Sequence, residues 1–300
     1  MFSFPSIILL VTSLTQPAAE VSSQISLVRD VAYTIPALNS FHKPLTMDVA
    51  FPNKGSKPLP VIIYIHGGGW ASGSKSEGEK FLALMAHGGY FAASIDFRGT
   101  GEGGFPETII DIISAINFIV KYKHELNINP NLIGLVGYSS GGHLAVLTAC
   151  SANNETMQIM LGQHTLNGSI KCVASINGAV VPKYLSRQYK QRALDWSGAE
   201  KEREMEFIFP ATYLDENDPP VYLLSGKEDQ VVPNRLARQF AGLLKRRDVK
   251  HTFQTIQKTG HLISEPSHYL DLLKFVDQQL EGNAYQILAT QSQGESNSME

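Results

Sequence analysis

Apolar residues in this chain gather into short runs separated by longer stretches in which they recur every third or fourth position. Val61-Ile62-Ile63-Tyr64-Ile65 is one such run, and similar ones span 91–97, 132–137, 173–178 and 221–225. Continuous apolar runs of this length, bounded by turn residues, predict strands buried on both faces. His251-Thr252-Phe253-Gln254-Thr255-Ile256-Gln257 alternates and predicts one more strand, while 25–34 and 45–52 predict an opening pair. Helical periodicity covers 76–87, 106–124, 140–150, 233–247 and 266–281. Strands that alternate with helices predict βαβ units: an α/β fold with a mostly parallel eight-stranded sheet, helices on both faces and active groups at the carboxyl ends of the strands.

Two stretches break the alternation. Residues 181–218 carry Tyr184, Tyr189, Trp196, Phe207 and Phe209 among many charges, which predicts a small helical insertion. It either lines a pocket beside the active site or simply packs on the domain. The tail at 281–300 loses apolar periodicity and ends in Gln291-Ser292-Gln293-Gly294-Glu295-Ser296-Asn297-Ser298, which predicts disorder. The remaining 25–280 is expected to be a single domain, since α/β folds of about 200 to 250 residues routinely are.

Composition narrows the classes. A hydrophobic content of 43% supplies a core, and the formal net charge of −3 comes without a basic stripe interleaved with aromatics, so no nucleic-acid partner is expected. Lys245-Arg246-Arg247 suits the negative end of a helix dipole. Near the amino terminus, Ile7-Ile8-Leu9-Leu10-Val11-Thr12-Ser13-Leu14 followed by Pro17-Ala18-Ala19 resembles a secretory signal over 1–19, too short for a membrane span. It lacks a basic residue before Arg29, which leaves a buried strand or helix as the other reading. Export to the exterior or a periplasm is the expectation, with the cytoplasm as the alternative. Export would permit a disulfide between Cys150 and Cys172, both placed at the bottom of the sheet, although buried unpaired cysteines are equally common. Asn154 and Asn167 match glycosylation acceptors.

Chemistry concentrates at two turns. Gly137-Tyr138-Ser139-Ser140-Gly141 stands between a buried strand and a helical stretch, placing a serine at the apex of a sharp turn. An apex serine needs a strained backbone, and the residues two before and two after it must be small for the helix to return against the strand. The strand at 61–65 runs directly into His66-Gly67-Gly68-Gly69-Trp70. Consecutive glycines let main-chain N–H groups approach a ligand unobstructed. The expected oxyanion hole is the N–H of Gly68 or Gly69 together with that of Ser140.

With these motifs the chain resembles the α/β-hydrolase superfamily, and within it the HGGG-bearing carboxylesterase and lipase group that includes hormone-sensitive-lipase-like and feruloyl-esterase-like enzymes. Asp96-Phe97-Arg98, Phe105-Pro106-Glu107 with Asp111, and Gly141-Gly142-His143-Leu144-Ala145 extend the resemblance over roughly 45–280. Ser140 departs from the alanine of many relatives but stays small.

The resemblance implies an α/β-hydrolase fold and a triad in the order serine, acid, histidine. Asp229 in Gly226-Lys227-Glu228-Asp229-Gln230-Val231-Val232 is the expected acid, with Glu228 as runner-up, while Asp215 and Asp218 lie at the wrong end of their strand. Of the histidines after Asp229, His261 sits in a loop directly after the last strand and is the expected general base; His251 and His268 fit surface or capping roles.

The implied activity is serine-dependent hydrolysis of a small or medium acyl ester, with a small-molecule ester as partner. No cofactor or metal is called for: the histidines and two cysteines miss zinc-ligand spacings. Alternatives keep the triad but change the bond, as in a peptidase, an arylformamidase or a carbohydrate deacetylase. A non-catalytic binding protein on the same fold is the third reading.

Overall fold

A computed structural model describes residues 19–21, 24–35, 43–55, 57–152, 154–162, 164–181 and 185–289. Its sheet has nine strands: β1 (Ala19–Val21), β2 (Ile25–Ala32), β3 (Thr46–Pro52), β4 (Leu59–Ile65), β5 (Phe91–Ile95), β6 (Ile128–Tyr138), β7 (Ile170–Ile176), β8 (Val221–Gly226) and β9 (His251–Ile256). They lie in the order β1-β2-β3-β5-β4-β6-β7-β8-β9. Pairings from β1 through β3 to β5 are antiparallel, and those from β5 through β4 to β9 are parallel. All eight expected strands are present. β1 adds a three-residue edge at the end of the stretch read as a leader, too short to register as a periodic run.

The helices that connect and cover the strands are α1 (Glu79–His87), α2 (Glu107–Lys121), α3 (Ser140–Ser151), α4 (Glu155–Met160), α5 (Arg187–Ser197), α6 (Arg235–Arg246) and α7 (Leu270–Leu280). The central strands are buried on both faces, and their alternation sorts the core into two layers. Val61, Ile63 and Ile65 of β4, Leu135 of β6 and Leu223 of β8 pack with α2, α3, α5 and α6. Ile62, Val136 and Leu224 face the other way, against Leu82 and Met85 of α1 and Leu272, Leu273 and Val276 of α7. α3 is buried along almost its whole length, which suits a helix apolar all round.

The same alternation separates the cysteines. Cys150 on α3 belongs to the first layer and Cys172 on β7 to the second, so the sheet stands between them and both are free thiols. Asn154 uses its side chain to cap α4, accepting from the N–H groups of Thr156 and Met157 at 3.0 and 3.2 Å.

The expected disorder after 281 does not hold for the described part of that tail. Residues 284–289 form a helical turn with Ala284 and Leu288 buried against the second layer. The Asp277 carboxylate accepts from the N–H groups of Ala284 and Tyr285 at 3.0 and 2.8 Å. Two apolar positions are too few to carry a period, and a tertiary contact supplies what local pattern lacks. Residues 1–18 of the candidate leader at 1–19, Tyr184 of the insertion and the tail from 290 lie outside the described residues. Among the described residues, no helix is long and apolar enough to cross a membrane.

Candidate active site

The carboxyl ends of β4, β6, β7, β8 and β9 meet at one rim of the sheet, as expected for an open parallel arrangement. At the end of β6 the chain turns into α3 through Ser139, which holds φ 55° and ψ −119°. The tightness explains the flanking glycines. A β-carbon at Gly137 would lie 2.1 Å from the carbonyl oxygen of Gly141, and one at Gly141 would lie 2.1 Å from that of Ile65.

Ser139, His261 and Asp229 come together in a line. Ser139 Oγ is 3.0 Å from His261 Nε2, and His261 Nδ1 is 2.7 Å from Asp229 Oδ2. The Asp229 side chain is fully buried, and its other oxygen accepts from the N–H groups of Val231 and Val232 at 2.8 and 2.9 Å. Such a line lets the imidazole take a proton from the hydroxyl while the carboxylate fixes its tautomer. Glu228, the runner-up acid, points to solvent. His251 makes a local contact with the Val249 carbonyl, and His268 sits in a short 3-10 turn.

Opposite the serine, the loop after β4 supplies donors. Gly67 packs against Ser139: a β-carbon there would lie 3.3 Å from that of Ser139. Gly68 and Gly69 have φ of 119° and 63°, and a β-carbon at Gly68 would collide with the Ser72 carbonyl at 1.8 Å. Among the described residues the N–H groups of Gly68, Gly69 and Ser140 meet no protein acceptor. The Ser140 hydroxyl is buried and unpartnered too, so what this residue offers the site is its main-chain N–H.

Four further residues, to which the sequence assigned no role, hold these groups in place. Asn177, at the end of β7 with φ 49°, donates to the His261 carbonyl at 2.6 Å and accepts from the Gly226 N–H at 2.8 Å. It ties the histidine loop to the ends of two strands. The Tyr138 hydroxyl also donates to the His261 carbonyl. The glycine loop is pinned from behind: Trp70 Nε1 donates to His143 Nδ1 at 3.1 Å, and His143 Nε2 donates to the Ile208 carbonyl at 2.7 Å. Burial pushes the His143 imidazole down to about 4, so it stays neutral at ordinary pH and free to accept from Trp70. An Asn-Gly pair directly after a buried strand was the one local sign of Asn177.

The insertion settles between its two expected roles. Trp196 is buried, stacks on Trp70 at a centroid distance of 6.0 Å and donates to Thr108 Oγ1 at 2.9 Å. It therefore packs on the domain and, through Trp70, braces the glycine loop. Among the described residues, no group of three or more His, Cys, Asp or Glu side chains could hold a metal ion.

The family model of BD-FAE matches residues 47–244, which include Gly67–Gly69 and Ser139. The chain belongs to the BD-FAE family. This is an α/β-hydrolase esterase family, and the resemblance read from the motifs stands. Among curated proteins, Esterase LipC of Mycobacterium tuberculosis (strain ATCC 25618 / H37Rv) is 30% identical over 203 residues, 63% of this chain and 49% of LipC. The chain spans about half the length of the curated relatives it matches. Esterase B from Lactobacillus rhamnosis (HN001) shares the fold, with a TM-score of 0.74 at 19% identity, covering 93% of this chain and 91% of that one. So does a truncated carbohydrate esterase from gut microbiota, with a TM-score of 0.72 at 21% identity over 88% of this chain and 100% of the other. This BD-FAE member thus has the α/β-hydrolase architecture expected of it.

Proposed function

We propose that this BD-FAE member hydrolyses carboxylic esters through an acyl-enzyme on Ser139. His261 accepts the serine proton as Oγ attacks the ester carbonyl, and Asp229 holds the imidazole tautomer and stabilises the imidazolium. The tetrahedral oxyanion is received by the N–H groups of Gly68 or Gly69 and Ser140; one such donor is worth about 3 to 4 kcal/mol in the transition state. His261 then passes its proton to the departing alcohol, and a water repeats the sequence to release the acid. The observation that carries this reading is the unbroken line Ser139–His261–Asp229, at 3.0 and 2.7 Å, facing main-chain donors without protein acceptors. The esterase names of the curated relatives support an ester over an amide.

Hydrolysis of 4-nitrophenyl acetate by the wild type and by Ser139→Ala is the direct test. Ser139→Ala should abolish turnover while the protein keeps its far-ultraviolet circular dichroism. Asp229→Asn should lower kcat by about four orders of magnitude through the wrong tautomer, and Glu228→Gln should leave it unchanged. Turnover that survives in Ser139→Ala would sink the reading.

A further inference from the structure

The insertion brings one cation to the glycine loop. Arg192 lies on α5, one turn before Trp196, and is half-buried. A β-carbon at Gly69 would lie 2.7 Å from its Nη1 and 3.3 Å from its Cδ, so the guanidinium arm rests against the third glycine of the loop. Its Cζ stands 5.4 Å from the centroid of the Tyr189 ring. Among the described residues, no carboxylate pairs with it and no acceptor takes its donors.

Other cations of the molecule that are shielded from solvent are answered by carboxylates. Buried Arg98 is answered by Asp111, with bonds of 2.9 and 2.8 Å from Nε and Nη2. On α5 itself, Lys190 pairs with Glu202 at 3.0 Å, and Asp195 accepts from Gln191 at 2.9 Å. A guanidinium carries five donors and is suited to bidentate binding of a carboxylate, so leaving it half-desolvated and unpaired is unfavourable until an anion arrives.

We propose that Arg192 selects esters bearing a carboxylate near the scissile bond. The proposal rests on the hydrolase reading above and deepens it by naming a substrate class. Gly67 touches Ser139 and Gly69 touches Arg192, and two residues of chain span at most about 7 Å. The carboxylate therefore sits within a few atoms of the ester carbonyl, on either the acyl or the alcohol side. No covalent step is added: the guanidinium binds the anion and orients the ester toward Ser139 Oγ.

The experiment compares kcat/KM at pH 7 for matched pairs. Mono-4-nitrophenyl glutarate against 4-nitrophenyl valerate places the charge on the acyl side, and 4-acetoxybenzoate against 4-acetoxybenzamide places it on the alcohol side. The wild type should favour the charged member of one pair. Arg192→Gln should cut that preference about tenfold or more while leaving the neutral ester within a few-fold, and Arg192→Lys should keep part of it. With the wild type alone, free glutarate should inhibit hydrolysis of the neutral ester more strongly than glutaramide does, and added salt should weaken that inhibition. No preference in either pair, or an equal loss for both members in Arg192→Gln, overturns the selection by Arg192 alone. Absence of Ser139-dependent turnover on every ester overturns the hydrolase reading as well.

Discussion

Asn177 shows how much of the site depends on a residue that touches no reacting group. Its positive φ suits asparagine, which tolerates the left-handed region better than most residues, and its short amide reaches both the His261 carbonyl and the Gly226 N–H. Asn177→Asp keeps that backbone preference and the acceptor for Gly226, but sets a carboxylate oxygen against the His261 carbonyl where a donor stood. The expected result is a fall in kcat on a chromogenic ester of about tenfold or more, with KM little changed and the melting temperature lowered by only a few degrees. An unchanged kcat would remove Asn177 from the positioning of His261. Ser139, Asp229 and His261 could be picked out because each follows a recognisable strand in a known order. Asn177 could not, because its role is two hydrogen bonds to segments far away along the chain.

At the scale of elements, the turn from β6 to α3 decides whether the site exists at all. Gly141 is pressed against the carbonyl oxygens of Ile65 and His66, at 2.1 and 2.3 Å from where a β-carbon would stand. Those atoms are backbone of the central strand and the glycine loop, so they cannot swing aside as a flexible side chain would. Gly141→Ala should cost about 3 kcal/mol or more, read as a lower midpoint in urea denaturation, and should lower esterase activity by displacing Ser139. A variant with native stability and activity would show that the turn is looser than its contacts require. α5 is the contrasting element: aromatic and charged residues announced an insertion, but its composition did not say which side chain would brace the loop. Trp196 does so because the fold sets it beside Trp70, and Arg192 follows one turn away.

At the scale of the whole molecule, the first apolar layer buries a histidine that also links loop, helix and insertion. His143 is fully buried and its imidazole is pushed down to about 4 by desolvation, whereas in the unfolded chain it would take a proton near 6.5. Between those values the unfolded state binds a proton that the folded state refuses, so this contribution is fully present above pH 6.5 and is lost as pH falls toward 4. From pH 7 to pH 5 the wild type should lose about 2 kcal/mol more stability than His143→Gln, measured by urea denaturation of both proteins. Asp218, pushed up to about 6 by burial, acts in the opposite direction, but it is common to both proteins and cancels in the comparison. Parallel curves would mean that His143 titrates normally. The sequence alone determined eight of the strands, five of the helices and the two strained turns, because each is written in local period and small residues, and the family resemblance added Ser139, Asp229 and His261 as candidates for serine, acid and base. Only the tertiary structure decided that the cysteines face opposite layers, that residues 284–289 dock, and that Asn177, His143 and Arg192 stand around the site. Those are contacts between segments far apart in the chain, and no local pattern of apolar and polar residues encodes which distant partner a side chain will meet.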